Sequence, residues 1–196
     1  MYGIRRMVVS FGIISALAWQ GLYAKKLKEC ENDTDRENGC VVYREDGLEM
    51  PYKHGQKNGI ARQYYPNGKL QLEIPYENDE QNGIERRYYE NGNILSEIPF
   101  KDDEENGNVK VYYASGKLKL EGVIMNGDGK GDHKIYFEDG KLAAVAHYDE
   151  NGVLQFVKCG SKKFNLKRGE TSQFWSMVVN KNQVQYCDIQ LLNSKR

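Results

Sequence analysis

The chain has 196 residues, with 28 Lys plus Arg against 28 Asp plus Glu and a formal net charge of +0. That balance supplies no basic field for nucleic acid or an anionic membrane surface, so a nucleic-acid partner is not expected. Hydrophobic residues make up only 39% and mean hydropathy is -0.75, yet there are 14 Tyr, which suits thin, hydrated sheets held by amphipathic rings rather than a thick aliphatic core or a disordered chain.

Residues 1–24 stand apart from the rest. Arg5 and Arg6 precede an uncharged run at 7–19 (MVVSFGIISALAW), and 20–24 (QGLYA) ends in a small residue. This three-part order predicts a secretory signal peptide cut after Ala24. The run is shorter than the roughly 20 residues a spanning helix needs, so no stable membrane span is expected after cleavage. The expected location is extracytoplasmic, either periplasmic or secreted. Cys30, Cys40, Cys159 and Cys187 all follow the cut, and an even number behind an export signal predicts disulfides. Three connectivities are open; proximity favours Cys30 with Cys40 and Cys159 with Cys187, clipping the two ends of the region between.

That region, within residues 25–160, is repetitive. Segments 59–68 (GIARQYYPNG), 83–92 (GIERRYYENG), 107–116 (GNVKVYYASG) and 131–140 (GDHKIYFEDG) align without gaps. Their first glycines, and their last, recur every 24 residues. Broad apolar/polar alternation on both sides of a turn reads as strand, turn, strand, while the frequent glycines leave no room for a helix. Pro66-Asn67-Gly68 and its equivalents suit a type I turn closed by a glycine with positive φ and a G1 bulge; a two-residue type I′ loop is the competing geometry. Gly59, Gly83, Gly107 and Gly131 are expected to serve positive φ or close backbone approach between hairpins.

Each unit carries an aromatic pair: Tyr64 and Tyr65, Tyr88 and Tyr89, Tyr112 and Tyr113, Tyr136 and Phe137. Adjacent strand residues face opposite ways, so each pair sends one ring to each face, giving a buried ladder and a partly exposed row. These eight are the candidate binding-face aromatics, because an exposed Tyr row suits recognition of a polypeptide or glycan. Glu73, Glu97 and Glu121 also recur at 24 residues and are expected to pair with Lys or Arg across strands. Imperfect copies are read at 38–47 (NGCVVYREDG) and 151–160 (NGVLQFVKCG), and residues 161–196 as a capping segment of two or three strands.

Catalytic chemistry is not apparent. His133 occupies a column otherwise filled by Ala61, Glu85 and Val109, and reads as surface variation. The acidic linkers 77–80 and 102–105 match no calcium-loop pattern and read as solvated loops. No cofactor, metal ligand set or catalytic residue is assigned.

The string N-G-x-x-x-x-Y-Y-x-N-G-K-L-x-x-E, complete from Asn58 to Glu73, resembles the bacterial variant of the MORN repeat. The small multi-copy arrangement is similar to the YwqK-type antitoxin family. The resemblance implies an all-β fold, an elongated single-layer array of antiparallel β-hairpins with a C-terminal cap. It also implies a non-enzymatic scaffold that binds a protein partner. An antitoxin or immunity role, and attachment to glycan or cell-wall polymer, are the alternatives.

Overall fold

The computed structural model describes residues 28–43 and 47–165. The expected signal segment and all of the expected cap beyond Asn165, Cys187 included, lie outside the described residues. A short helix, α1 (Asp33–Asn38), precedes fifteen strands. They are β1 (Cys40–Tyr43), β2 (Leu48–Lys53), β3 (Gln56–Lys57), β4 (Gly59–Tyr64), β5 (Leu70–Glu77), β6 (Glu80–Gln81), β7 (Gly83–Tyr88) and β8 (Ile94–Lys101), followed by β9 (Glu104–Glu105), β10 (Gly107–Tyr112), β11 (Leu118–Met125), β12 (Asp128–Tyr136), β13 (Leu142–Tyr148), β14 (Leu154–Cys159) and β15 (Lys162–Asn165). The long strands form one antiparallel meander, β1-β2-β4-β5-β7-β8-β10-β11-β12-β13-β14-β15, while β3, β6 and β9 pair locally with β2, β5 and β8. The array is an elongated single layer of hairpins, not a closed barrel.

The hairpin turn takes the bulged form. Gly68 N–H donates to Tyr65 O at 2.8 Å and Tyr65 N–H donates to Lys69 O at 2.8 Å. Gly68 has φ +79, whereas neither Pro66 nor Asn67 has positive φ, which excludes a type I′ loop here. The ladder shifts register between Gln63 and Tyr64, and equivalent shifts follow Arg87, Val111 and Ile135.

At the opposite end of the strands the acidic linkers are tight turns rather than loose loops. Asn78 and Asp79 have φ of 52 and 73, and Asp102 and Asp103 have φ of 53 and 66, the two successive positive angles of a type I′ turn. Asx side chains tolerate that region better than most. The turns also clamp neighbouring repeats: Asp79 Oδ1 accepts from Lys57 N–H at 2.7 Å, and Asp103 Oδ1 accepts from Gln81 N–H at 2.7 Å.

Register defines two faces. Ala61↔Ile74 and Gln63↔Leu72 alternate with Ile60↔Pro75 and Arg62↔Glu73; the first set forms the core face and the second the opposite, outer face. In the later repeats the core face is apolar, with Val109, Leu120, Ile135, Ala144, Ala146 and Val157 buried together. In the earlier ones it is more polar: buried Glu85 accepts from Gln81 Nε2 at 3.0 Å and pairs with Arg87 Nε at 2.8 Å.

Two expectations need correction. His133 is not a surface variant: it is 4% exposed, and its Nε2 lies 2.9 Å from Val123 O. It fits because Gly122 stands opposite, where a Cβ would lie 2.4 Å from the imidazole. Asn151-Gly152 does not open another copy. Gly152 instead closes a second bulged turn, donating to Asp149 O at 3.0 Å, while Asp149 Oδ1 accepts from the Asn151 and Val153 amides. The all-β array carries one short helix before it, α1, capped by Asn32, whose side chain accepts from Asp35 N–H.

The N-terminal clip is as expected. Cys30 and Cys40 form a disulfide with Cα atoms 5.2 Å apart, tying the segment before α1 to β1. Cys159, at the end of β14, is also disulfide-bonded.

Candidate functional site

The two rings of each aromatic pair diverge. Tyr65, Tyr89 and Tyr113 donate their hydroxyls to the carbonyls of Tyr88, Tyr112 and Tyr136, at 2.5, 2.8 and 2.7 Å. Each bond joins one repeat to the next. Phe137, without a hydroxyl, ends this series and is 45% exposed.

The first ring of each pair reaches back instead. Tyr88, Tyr112 and Tyr136 donate to Glu73, Glu97 and Glu121 at 2.9, 2.9 and 2.7 Å, and Tyr64 to Glu49 at 3.4 Å. The other oxygen of Glu73 accepts from Arg62 Nε at 3.1 Å, and that of Glu97 from Arg86 Nε at 3.2 Å. Lys134 Nζ lies 3.6 Å from Glu121. Desolvation first, and then the adjacent carboxylate, pushes the Tyr88 and Tyr112 phenols up to about 12. For Tyr136 the Glu121 hydrogen bond is the larger cause of a rise to about 12. The phenols therefore remain neutral donors, and the candidate aromatics contribute to internal order first and to any recognition through their ring faces.

The same outer face carries a series of hollows that the residue pattern did not reveal. Within a hairpin the ladder runs the length of the strands, but between repeats it holds for two residue pairs only: Leu48↔Gln63 with Glu49↔Arg62, Leu72↔Arg87 with Glu73↔Arg86, and Lys110↔Glu97 with Val111↔Ser96. Beyond each stand Pro51, Pro75 and Pro99. A strand residue directs its N–H and C=O to the same side, and proline has no N–H to offer there. Its carbonyl is taken by the Asn beyond the tight turn, as in Asn82 N–H to Pro75 O at 3.1 Å and Asn106 N–H to Pro99 O at 2.8 Å. The strands part, leaving a notch at each junction.

A glycine packs closely against each of these prolines. Gly59, Gly83 and Gly107 have φ of 115, 118 and 134, and a Cβ on them would lie 3.2, 3.0 and 3.1 Å from Pro51, Pro75 and Pro99. One hollow of about 260 Å³ is lined by Ile60, Glu73, Pro75, Ile84 and Arg86. The next, about 650 Å³, shares Ile84 and includes Pro99, Lys110, Glu121 and Val123. At the following junction β11 and β12 pair along most of their length, down to Met125↔Asp128, with Val123 in place of proline. The proline column ends there, while the larger hollow continues over this junction to Asp132 and Lys134.

The remaining sequence features do not assemble into reactive chemistry. His54 sits in a tight turn with φ 53. His147 Nδ1 meets Asp132 Oδ1 at 2.6 Å and its ring stacks on Phe156. Burial lowers the affinity of His133 for a proton. Among the described residues there is no group of three or more His, Cys, Asp or Glu able to hold a metal ion. No helix among them is long and apolar enough to cross a membrane.

Segments 57–78, 81–102, 105–124 and 130–150 match the MORN repeat variant. The chain carries four MORN-type repeats between residues 57 and 150. The matched segments coincide with the four regular hairpin units, each taking in a bulged turn and the proline or its replacement. The matched repeats form a scaffold with no catalytic or metal-binding cluster among the described residues. No curated protein matches the chain.

Proposed function

We propose that this MORN-repeat chain is an extracytoplasmic protein-binding scaffold. The observation that carries the reading is the pair of adjoining hollows on the outer face, one lined by Ile60, Pro75 and Ile84 and the next by Ile84, Pro99 and Asn108. Exposed apolar side chains there stand beside fixed, mutually paired charges, the mixture of apolar patch and polar rim that protein interfaces use. The disulfide at Cys30 and Cys40 supports an oxidising compartment, as does the signal-like order of residues 1–24.

Affinity capture from an envelope extract with the chain beginning at Lys25 is the test. A reproducible, saturable partner lost on Ile84→Glu supports the scaffold; capture of no partner refutes it. Retention on purified wall polymer instead would favour the glycan reading. Relief of a neighbouring gene's toxicity on coexpression would favour the antitoxin or immunity reading. Sequencing the N-terminus of the exported protein tests the location, since a start at Lys25 is expected.

A further inference from the structure

The notches repeat at the spacing of two strands. Adjacent strands lie about 4.8 Å apart, so consecutive notches stand roughly 9.6 Å apart along the array. A polypeptide lying across the strands and giving one apolar side chain to each notch must repeat at that distance. A β-strand repeats on one face every ~6.7 Å. A helical heptad advances ~10.5 Å and drifts out of phase by about 1 Å per notch. Polyproline II, at about 3.1 Å per residue and three residues per turn, advances roughly 9.3 Å and stays in phase over several notches.

The chemistry of the walls agrees with that period. Ile60 and Ile84 are 43% and 40% exposed, and Pro75 and Pro99 complete the apolar sides. A polyproline II chain has no internal hydrogen bonds, so its carbonyls need outside donors. Arg86 uses Nε on Glu97 while lining a notch, and its guanidinium carries further N–H groups. Lys110 lines the neighbouring hollow. The flanking charges are largely neutralised in the pairs Arg62 with Glu73, Arg86 with Glu97 and Lys134 with Glu121, which disfavours selection of a highly charged ligand.

We infer that the junction notches bind an extended, proline-rich polypeptide segment in the polyproline II conformation, one apolar side chain per notch. This rests on the scaffold reading and narrows it to a ligand class. The full exported chain is titrated by fluorescence polarisation with three labelled peptides of equal net charge. One is proline-rich, about nine residues long, with an apolar side chain at every third position; one has apolar and polar residues alternating; one forms an amphipathic helix. Saturable binding of the first is expected. Ile84→Glu should weaken it about tenfold or more by setting a charge in an apolar notch, and Asn108→Ile should strengthen it by completing the third apolar wall.

Tighter binding of either other peptide overturns the inference. So does failure of the proline-rich peptide to saturate, or indifference to both substitutions in a chain whose circular dichroism is unchanged. If the envelope partner is captured and Ile84→Glu releases it while the proline-rich peptide does not bind, the ligand class alone is overturned. Capture of no partner is the separate failure of the scaffold reading.

Discussion

The facing pair of Gly122 and His133 makes a sharp prediction about the core. By the 24-residue spacing, the places of Gly122 and His133 are held at the preceding junction by Ile98 and Val109, while within their own hairpins Gly122 pairs with Val109 and His133 with Ala146. At the later junction the bulk has shifted from the first strand to the second. Gly122→Ala sets a methyl 2.4 Å from the imidazole, and His133 is held by Val123 O and by Tyr148, whose ring centroid lies 4.7 Å away. Gly122 does not have positive φ, so the penalty is steric, about 1–3 kcal/mol for an overpacked interior. In a domain of this size that is roughly 2–4 °C of melting temperature per kcal/mol. His133→Ala alone also destabilises, by emptying the site. With both substitutions the new methyl enters vacated space, so the double mutant should be more stable than the sum of the single losses by at least about 1 kcal/mol. Urea denaturation of the four proteins measures this coupling; additivity within about 0.5 kcal/mol would refute the steric account.

His133 also sets a pH dependence. Burial lowers its folded-state proton affinity below the unfolded value, so below about pH 6.5 the unfolded chain takes up the proton more readily. Stability should therefore be full above that pH and decline on acidification, and His133→Gln should flatten the decline in denaturation midpoints measured from pH 7.5 to 5. Tyr112→Phe removes a charge-assisted hydrogen bond to Glu97 but leaves Arg86 in place; a loss of about 1–2 kcal/mol is expected by urea denaturation. Asp79→Gly keeps a residue at ease with positive φ but removes the clamp on the Lys57 amide. Hydrogen exchange at Lys57 should accelerate, with little change at amides inside β10.

The repeat, its bulged turn and the cross-strand Glu pairs were legible because each is written in a column: a glycine for positive φ, an aromatic pair on alternating faces, a carboxylate opposite Arg62 or Arg86. The type I′ turns were hidden by their acidity. Asn78-Asp79 and Asp102-Asp103 look like hydrated linkers, although two adjacent Asx residues in a hairpin register are also what that turn favours. The notches were missed because they arise from something lacking, the proline N–H, and need the junction register to be seen. Gly122 and His133 each read as drift within a column; only their opposition across the ladder turns two irregularities into one fit. Gly152 misled because the same Asn-Gly pair occurs at both ends of a hairpin unit, and only Asp149, bonding the amides of Asn151 and Val153, distinguishes them.

The short ladders between repeats have a consequence for the outer surface. β4 and β5 share six residue pairs, whereas β5 shares two with β7 and two with β6, so the ladder is continuous within a hairpin and interrupted at the junction. One margin of the β5/β7 junction is tied by the Tyr65 hydroxyl to Tyr88 O, and at the other end successive tight turns are tied by Asp79 to the Lys57 amide. The later junction, between β11 and β12, is paired along most of its length. The hollows lie at these short ladders, so the same interruption that thins the junction also opens the apolar surface beside Pro75 and Pro99.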